Sequence, residues 1–235
     1  MKKARRSPGE AERFAALATT LARPDAAWTE VLNALARWPE EQGAARAVEI
    51  VAAAAERWPA GTRGLSRLVV NQLLGHEVRP YLRLVRALDL RLLWRMPRRD
   101  GLLGRMIDEG GMTHLVAFTT RYDRGEALIA WLARRIGGLR SLHIGGSGVL
   151  CSGAQTLARA PGLARLTSLS LHGNLVADAG AQALIDSPHL VGLRYLNLYG
   201  NRLSSDGVRR LQAAPQWQEA RVTVNHQRQP GSLGW

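Results

Sequence analysis

Three histidines, one cysteine and a glycine-rich segment are the parts of this sequence whose residue types are suited to chemistry. His114, His143 and His172 offer imidazoles that can bind a metal or transfer a proton. Residues 145–148 resemble a phosphate-binding loop, but they lack the Gly-Lys-Ser/Thr ending of a P-loop and the spacing of a dinucleotide fingerprint. Cys151 has no base aligned with it. We find no catalytic constellation and therefore expect a protein that is not an enzyme and uses no cofactor.

The composition is that of a folded protein without a membrane span. The chain has 235 residues, of which 46% are hydrophobic, and this is enough to bury a core. No stretch approaches the roughly 20 apolar residues that cross a bilayer, and the basic N-terminus is not followed by the apolar segment of a signal peptide. The single cysteine cannot form an internal disulfide, which suits a reducing compartment. We expect a cytoplasmic protein.

The net charge of +13 raises the alternative of a protein that binds nucleic acid or an acidic surface. The basic residues are densest in Lys2 to Arg6 and in the stretch from Arg91 to Arg105. All basic residues except Lys2 and Lys3 are arginine, and a GC-rich bacterial genome produces this skew without selection for binding. A solvated basic surface is the simpler interpretation, and polyanion binding through the two dense segments stays the alternative.

An internal repeat organises the second half of the chain. Leu166, Leu169, Leu171 and Asn174 recur 27 residues later as Leu193, Leu196, Leu198 and Asn201. One unit earlier the same places are held by Leu139, Leu142, Ile144 and Ser147. A glycine column and a proline column keep the same offset: Gly153, Gly180 and Gly207, and Pro161, Pro188 and Pro215. Agreement in several separate columns predicts a repeating structural unit.

The pattern Leu-x-x-Leu-x-Leu-x-x-Asn-x-Leu, complete from Leu193 to Leu203, resembles the leucine-rich repeat of the long, ribonuclease-inhibitor-like class. The resemblance implies an α/β solenoid with parallel strands on a concave face and helices on a convex face. The repeated Asn is expected to hydrogen-bond to neighbouring backbone at the end of each strand. Asp178 and Asp206 are expected to start return helices, and each proline to end one.

The register and the helical periodicity divide the chain into four segments. We expect a basic arm over residues 1–24, a helical N-terminal cap over 25–84, the solenoid over 85–224 and a tail over 225–235. In the cap, Asp25 is expected to start a helix, Ala44 to Trp58 forms another, and Leu65 to Val70 could be an irregular strand. The first units of the solenoid are degenerate and the last strand follows a one-residue slip; their apolar positions are Val85, Leu88 and Leu90, then Met112, Leu115 and Ala117, and finally Val222 and Val224.

The residues between the core leucines should point outward from the concave face, in columns that cross the strands. Aromatic residues and arginine are common anchors of protein interfaces. The candidate partner-binding residues are Arg91, His114, Phe118, His143, His172, Tyr195, Asn197 and Tyr199. The three histidines fall on a diagonal about 8 Å apart, which is too far for one metal ion with bonds of about 2.1 Å, so we expect no metal site.

These expectations favour a non-catalytic adaptor that binds a partner protein through the concave face. Nucleic-acid or acidic-surface binding is the alternative. A regulator of a small GTPase is a third hypothesis, because one type of protein in the resembled class activates such an enzyme, although no residue here specifies that role. The sequence does not identify the partner.

Overall fold

The computed structural model describes residues 8–41, 43–74, 78–89, 105–106, 115–120 and 124–224. These residues group into two units. The described residues up to Ala87, together with Arg105 and Met106, belong to a helical unit. Leu88, Asp89 and the described residues from Leu115 onward belong to a repeat unit in which strands and helices alternate.

The helical unit packs around amphipathic helices and two tryptophans. Its helices are α1 (Glu10–Ala22), α2 (Trp28–Ala36), α3 (Ala44–Ala54) and α4 (Arg67–Leu74), with 3-10 turns at Ala55–Arg57, Ala60–Thr62 and Pro80–Leu84. The indole N–H of Trp28 donates to the Gly64 carbonyl and that of Trp58 to the Ala26 carbonyl, both at 2.8 Å. Both indoles are buried, so these tryptophans serve packing.

The helical unit differs from expectation at three places. Helix α1 lies inside the segment assigned to a basic arm, because it has an apolar side that buries Leu17. The expected strand over Leu65 to Val70 is wrong: Ser66 Oγ accepts from Val69 N at 3.3 Å and caps α4. Asp25 does not cap α2, whose N-cap position is occupied by Ala27.

Apart from Ala87, the repeat unit contains one six-stranded sheet whose strands follow chain order. The strands are β1 (Ala87–Asp89), β2 (Ala117–Thr120), β3 (Ser141–Ile144), β4 (Ser168–Ser170), β5 (Tyr195–Asn197) and β6 (Arg221–Thr223). The helices between them are α5 (Gly125–Arg135), α6 (Cys151–Ala158), α7 (Asp178–Ile185) and α8 (Ser205–Gln212). Each described pairing from β2 to β6 is parallel. A parallel sheet with alternating helices fits a repeat solenoid.

The 27-residue register is confirmed from β3 to β5. Leu142 pairs with Leu169, and Leu169 pairs with Leu196. All three are fully buried and form one row of the core. Leu196 pairs with Val222 of β6 after 26 residues, which confirms the predicted one-residue slip. The predicted tail over 225–235 lies outside the described residues.

Buried asparagines join consecutive units, as the repeat predicts. Asn174 Nδ2 donates to the carbonyls of Ile144 and Leu171 at 2.7 and 2.8 Å. Its Oδ1 accepts from the backbone N–H groups of Ser147 and Val149 at 2.8 and 3.1 Å. Since this side chain is fully buried, it satisfies backbone groups of two units that water cannot reach.

The register of β2 corrects the sequence prediction. Phe118, expected on the exposed face, pairs with Leu142 and is completely buried, so the prediction of its exposure is wrong. The unit between β2 and β3 is 24 residues long in this pairing, three shorter than the repeat. The physical reason is a shorter connection on both sides of the helix: α5 starts 8 residues after β2 starts, whereas α6 starts 10 residues after β3 starts, and the proline turn after α5 is missing. Helix α5 continues to Arg135, whereas 3-10 turns begin at Pro161 and Pro215 after α6 and α8.

The glycine column permits the helices to approach closely. A Cβ atom added to Gly180 would lie 2.8 Å from Val176 Cγ1 and 3.1 Å from Cys151 Cα, so a side chain there would push α7 away from α6. This packing explains why the column recurs with the repeat period.

Acidic side chains at the helix starts link successive units instead of capping their own helices. Asp178 begins α7, as expected, but its Oδ1 accepts from Ser204 N at 2.9 Å in the following unit. Ser204 in turn caps α8 by accepting from Gly207 N at 3.1 Å. The hydrogen bond from the Ser204 hydroxyl stabilises the carboxylate and lowers the pKa of Asp178. Asp206, also expected to start a helix, lies in the first turn of α8.

Candidate partner-binding surface

Alternate residues of β3, β4 and β5 leave the core and form one polar and aromatic surface. We define the strand-side surface as the residues Ser141, His143, Ser168, Ser170, His172, Tyr195, Asn197 and Tyr199. Ser170 is buried, whereas the others are half-buried or exposed. Five of the predicted residues lie here: His143, His172, Tyr195, Asn197 and Tyr199. The period-two alternation of short strands places them on one side of the sheet.

The other three predicted residues are Arg91, His114 and Phe118. Arg91 and His114 lie outside the described residues, and Phe118 is in the core. The Arg-rich segments of the polyanion alternative also lie outside the described residues, apart from Arg105.

The histidines are held by serines on their own and neighbouring strands. His143 Nε2 lies 3.3 Å from Ser141 Oγ and 3.1 Å from Ser168 Oγ. His172 Nδ1 lies 3.2 Å from Ser170 Oγ. The His172 ring also covers Gly145, since a Cβ atom added at that glycine would collide with the ring. These contacts fix both rings against the sheet and leave a surface of hydrogen-bonding groups.

Asn197 bonds to both tyrosine residues. Its Nδ2 donates to the Tyr195 hydroxyl at 3.1 Å, and its Oδ1 accepts from the backbone N of Tyr199 at 2.9 Å. The Tyr199 side chain is 44% exposed. Tyrosine side chains are well suited to a protein interface, because they have few rotatable bonds and lose little entropy when they are covered.

The strand-side surface as defined contains no Asp, Glu, Lys or Arg side chain. None of the described residues of β2 to β6 is Asp or Glu. Residues 124–224 contain 11 arginines, no lysine and 5 acidic residues. Four of those five acids bond to groups on the helix side: Glu126 to Leu150 N, Asp178 to Ser204, Asp186 to Gln182 and Asp206 to Arg209. The acidic side chains of residues 124–224 therefore lie mainly on the helix side.

Two other features, a metal centre and a membrane-spanning helix, have no counterpart among the described residues. Within the described ranges no group of three His, Cys, Asp or Glu side chains is arranged to hold a metal ion. No described helix is long and apolar enough to cross a membrane.

Sequence reasoning placed the serines in the outward columns but did not identify their role. Ser141, Ser168 and Ser170 recur beside the histidines, and a hydroxyl next to an imidazole in a cross-strand position was the available signal. Three exposed arginines were also missed: Arg140 and Arg194, which precede Ser141 and Tyr195, and Arg221, which pairs with Tyr195. Their signal was the recurrence of arginine at or just before this position of the repeat.

Comparisons with known proteins identify no family for this chain. No protein-family model matches the chain, and no curated protein matches it. Among solved structures, the chain is similar to a structural-genomics crystal structure of a protein from Bacteroides fragilis, with 16% sequence identity and a TM-score of 0.42. The match covers 50% of this chain and 36% of that protein, so the chain spans just over a third of its length.

Proposed function

We propose that this protein is a leucine-rich-repeat adaptor that binds a partner protein through its strand-side surface. In a solenoid of this kind the strand side is the concave face. We propose a cytoplasmic location and a bacterial origin as part of the same assignment. The adaptor role rests on the surface itself, because a repeat scaffold can serve many functions.

The observation that carries the proposal is the tyrosine pair of the strand-side surface. Asn197 bonds to the Tyr195 hydroxyl and to the Tyr199 backbone, both tyrosines lie outside the buried core, and two histidines that contact serines lie on the same surface. Interface anchors are commonly tyrosine, tryptophan and arginine, held in place before binding. The helix side carries acids that are already bonded within the fold, which leaves the strand side as the better docking surface.

The test is a double substitution, Tyr195→Ala with Tyr199→Ala, in the full-length chain. Truncating interface anchors costs about 2 kcal/mol or more each, whereas exposed side chains that touch little change folding stability by under about 0.5 kcal/mol. We expect a nearly unchanged melting temperature and loss of the principal partner recovered from host lysate.

The matched control replaces two arginines on the helix side of the unit, Arg159→Ala with Arg209→Ala. Both residues are exposed, at the end of α6 and in α8. The control should retain the partner. If the control loses the partner and the tyrosine variant retains it, the partner docks elsewhere and the proposal is wrong.

A further inference from the structure

Three exposed arginines lie next to the strand-side surface. We define the arginine row as Arg140, Arg194 and Arg221, with Thr167 between the first two. Arg140, Thr167 and Arg194 hold equivalent positions, each one residue before its strand: Thr167 N donates to Arg140 O at 2.9 Å and Arg194 N to Thr167 O at 2.8 Å. Arg221 lies one residue later in the register, because it pairs with Tyr195 and its N–H donates to Arg194 O at 2.9 Å. The arginines therefore come from neighbouring strands, with Arg221 in the column of Tyr195.

The three side chains of the arginine row are exposed. Within the described part of the chain, no ion pair or side-chain hydrogen bond engages any of their guanidinium groups. By contrast, Arg209 and Arg210 on α8 pair with Asp206 and Asp178. Three neighbouring cations without carboxylates repel one another, so an anion that joins them relieves the repulsion as well as forming new bonds.

An apolar contact lies next to the row. Arg194 lines a depression of about 390 Å³ together with Val191 and Glu219. Val191 is 57% exposed, more than the other large hydrophobic side chains in the described residues. A partner that covers the row can therefore bury an aliphatic side chain beside it.

We infer that the arginine row recognises an acidic, extended segment of the partner protein, which deepens the proposed function and rests on it. Neighbouring strands are about 4.8 Å apart, so the row spans about 14 Å across β3 to β6. An extended peptide rises about 3.3 Å per residue, and carboxylates at positions i, i+2 and i+4 span about 13 Å. The long arginine side chains accommodate the difference, and each guanidinium can hold a carboxylate through two parallel hydrogen bonds.

A peptide fits this surface better than a nucleic acid does. Glu219 lies in the same depression as Arg194, where it repels a phosphate but accepts a hydrogen bond from a peptide N–H.

The experiment measures binding of labelled probes to the full chain by fluorescence anisotropy at low and physiological salt. The probes are a decapeptide of alternating glutamate and leucine, its glutamine counterpart and a single-stranded DNA of mixed sequence. The row variant carries Arg140→Gln, Arg194→Gln and Arg221→Gln. The matched control carries Arg134→Gln, Arg159→Gln and Arg209→Gln, three exposed helix-side arginines with the same change in formal charge.

We expect the glutamate peptide to bind more tightly than the glutamine peptide. The row variant should bind the glutamate peptide about fivefold more weakly, or weaker still, than the unmodified chain does. The control triple should change its affinity less than about twofold. A reversed variant, Arg194→Glu with Arg221→Glu, should prefer a lysine–leucine peptide, which shows that a loss is not a folding defect.

Three results would overturn the inference. These are equal weakening by the two triples, no preference for the glutamate peptide over its glutamine counterpart, or DNA binding that is tighter than peptide binding and sensitive to the row. If any of these occurs while the tyrosine pair still controls capture of the partner, the proposed function stands and only the acidic segment is rejected. If the tyrosine substitutions do not affect capture of the partner and the row variant behaves as expected, the partner docks on the arginine row instead of the strand-side surface.

Discussion

Replacing Asn174 by alanine should be among the most destabilising truncations in the repeat unit. The side chain makes four short hydrogen bonds to backbone groups, two as donor to Ile144 and Leu171 and two as acceptor from Ser147 and Val149. Each contributes about 0.5–1.5 kcal/mol net, and the site is fully buried, so water cannot replace the lost partner. We expect a loss of about 2–5 kcal/mol, a large part of a domain's total stability of about 5–15 kcal/mol.

Urea denaturation followed by circular dichroism measures this loss against Asn197→Ala. Asn197 is half-buried at the surface, so its alanine variant should lose less than about 1 kcal/mol. Asn174→Asp gives a second comparison, because it keeps the acceptor but turns an oxygen toward two carbonyls. It should be at least as destabilising as alanine at neutral pH. Equal, small losses for Asn174→Ala and Asn197→Ala would refute the assignment of Asn174 as the link between units.

Three further predictions test other parts of the fold. Phe118→Ala should lower the free energy of unfolding by about 3–5 kcal/mol because the ring is fully buried, and a thermal melt detects this loss. A loss below about 0.5 kcal/mol would mean that Phe118 is exposed instead. Gly180→Ala should lose about 1–3 kcal/mol in urea titration, since its Cβ would crowd Val176, and an unchanged midpoint would contradict the close helix packing. Asp178 has a lowered pKa in the folded state, so its stabilising effect is complete above the unfolded pKa of about 3.9 and is lost as the pH falls through the folded value. The difference in unfolding free energy between the wild type and Asp178→Asn should therefore be smaller at about pH 3 than at about pH 6. A difference that does not change with pH would contradict the lowered pKa of Asp178.

The regular part of the fold was predictable because its residues repeat with one period. Leu142, Leu169 and Leu196 each follow the same spacing, and their side chains pack in one row because parallel strands in register bring equal positions together. Asn174 was predictable for the same reason: a polar residue fixed at the end of every strand needs buried backbone groups to bond with.

The irregular part was not predictable because shortening a unit leaves the apolar pattern ambiguous. Met112, Leu115 and Ala117 fit the 27-residue spacing, while Leu115, Phe118 and Thr120 fit a unit three residues shorter. The third place of the shorter alignment is filled by a threonine whose buried hydroxyl has no hydrogen-bond partner among the described residues. The absence of a proline near Arg134 was the signal that favoured the shorter unit.

The residues of the candidate surface were predictable, but the contacts that hold them were not. The alternation of strand residues placed His143, His172 and the tyrosines on one side. Whether they are free or held depends on atoms that spacing does not determine, such as the Asn197 amide between Tyr195 and Tyr199. The arginine row was harder to find, because Arg140, Thr167, Arg194 and Arg221 become neighbours only through backbone bonds between strands.

The most direct test of the central claim is hydrogen–deuterium exchange of the full chain, free and bound to the partner that it captures. Binding at the strand-side surface should protect backbone amides over residues 195–199 and in the neighbouring segments 141–144 and 168–172. Amides of α6, α7 and α8 on the helix side should exchange as in the free protein. Protection confined to those helices, with no change at residues 195–199, would contradict the proposal that the partner docks on the strand side.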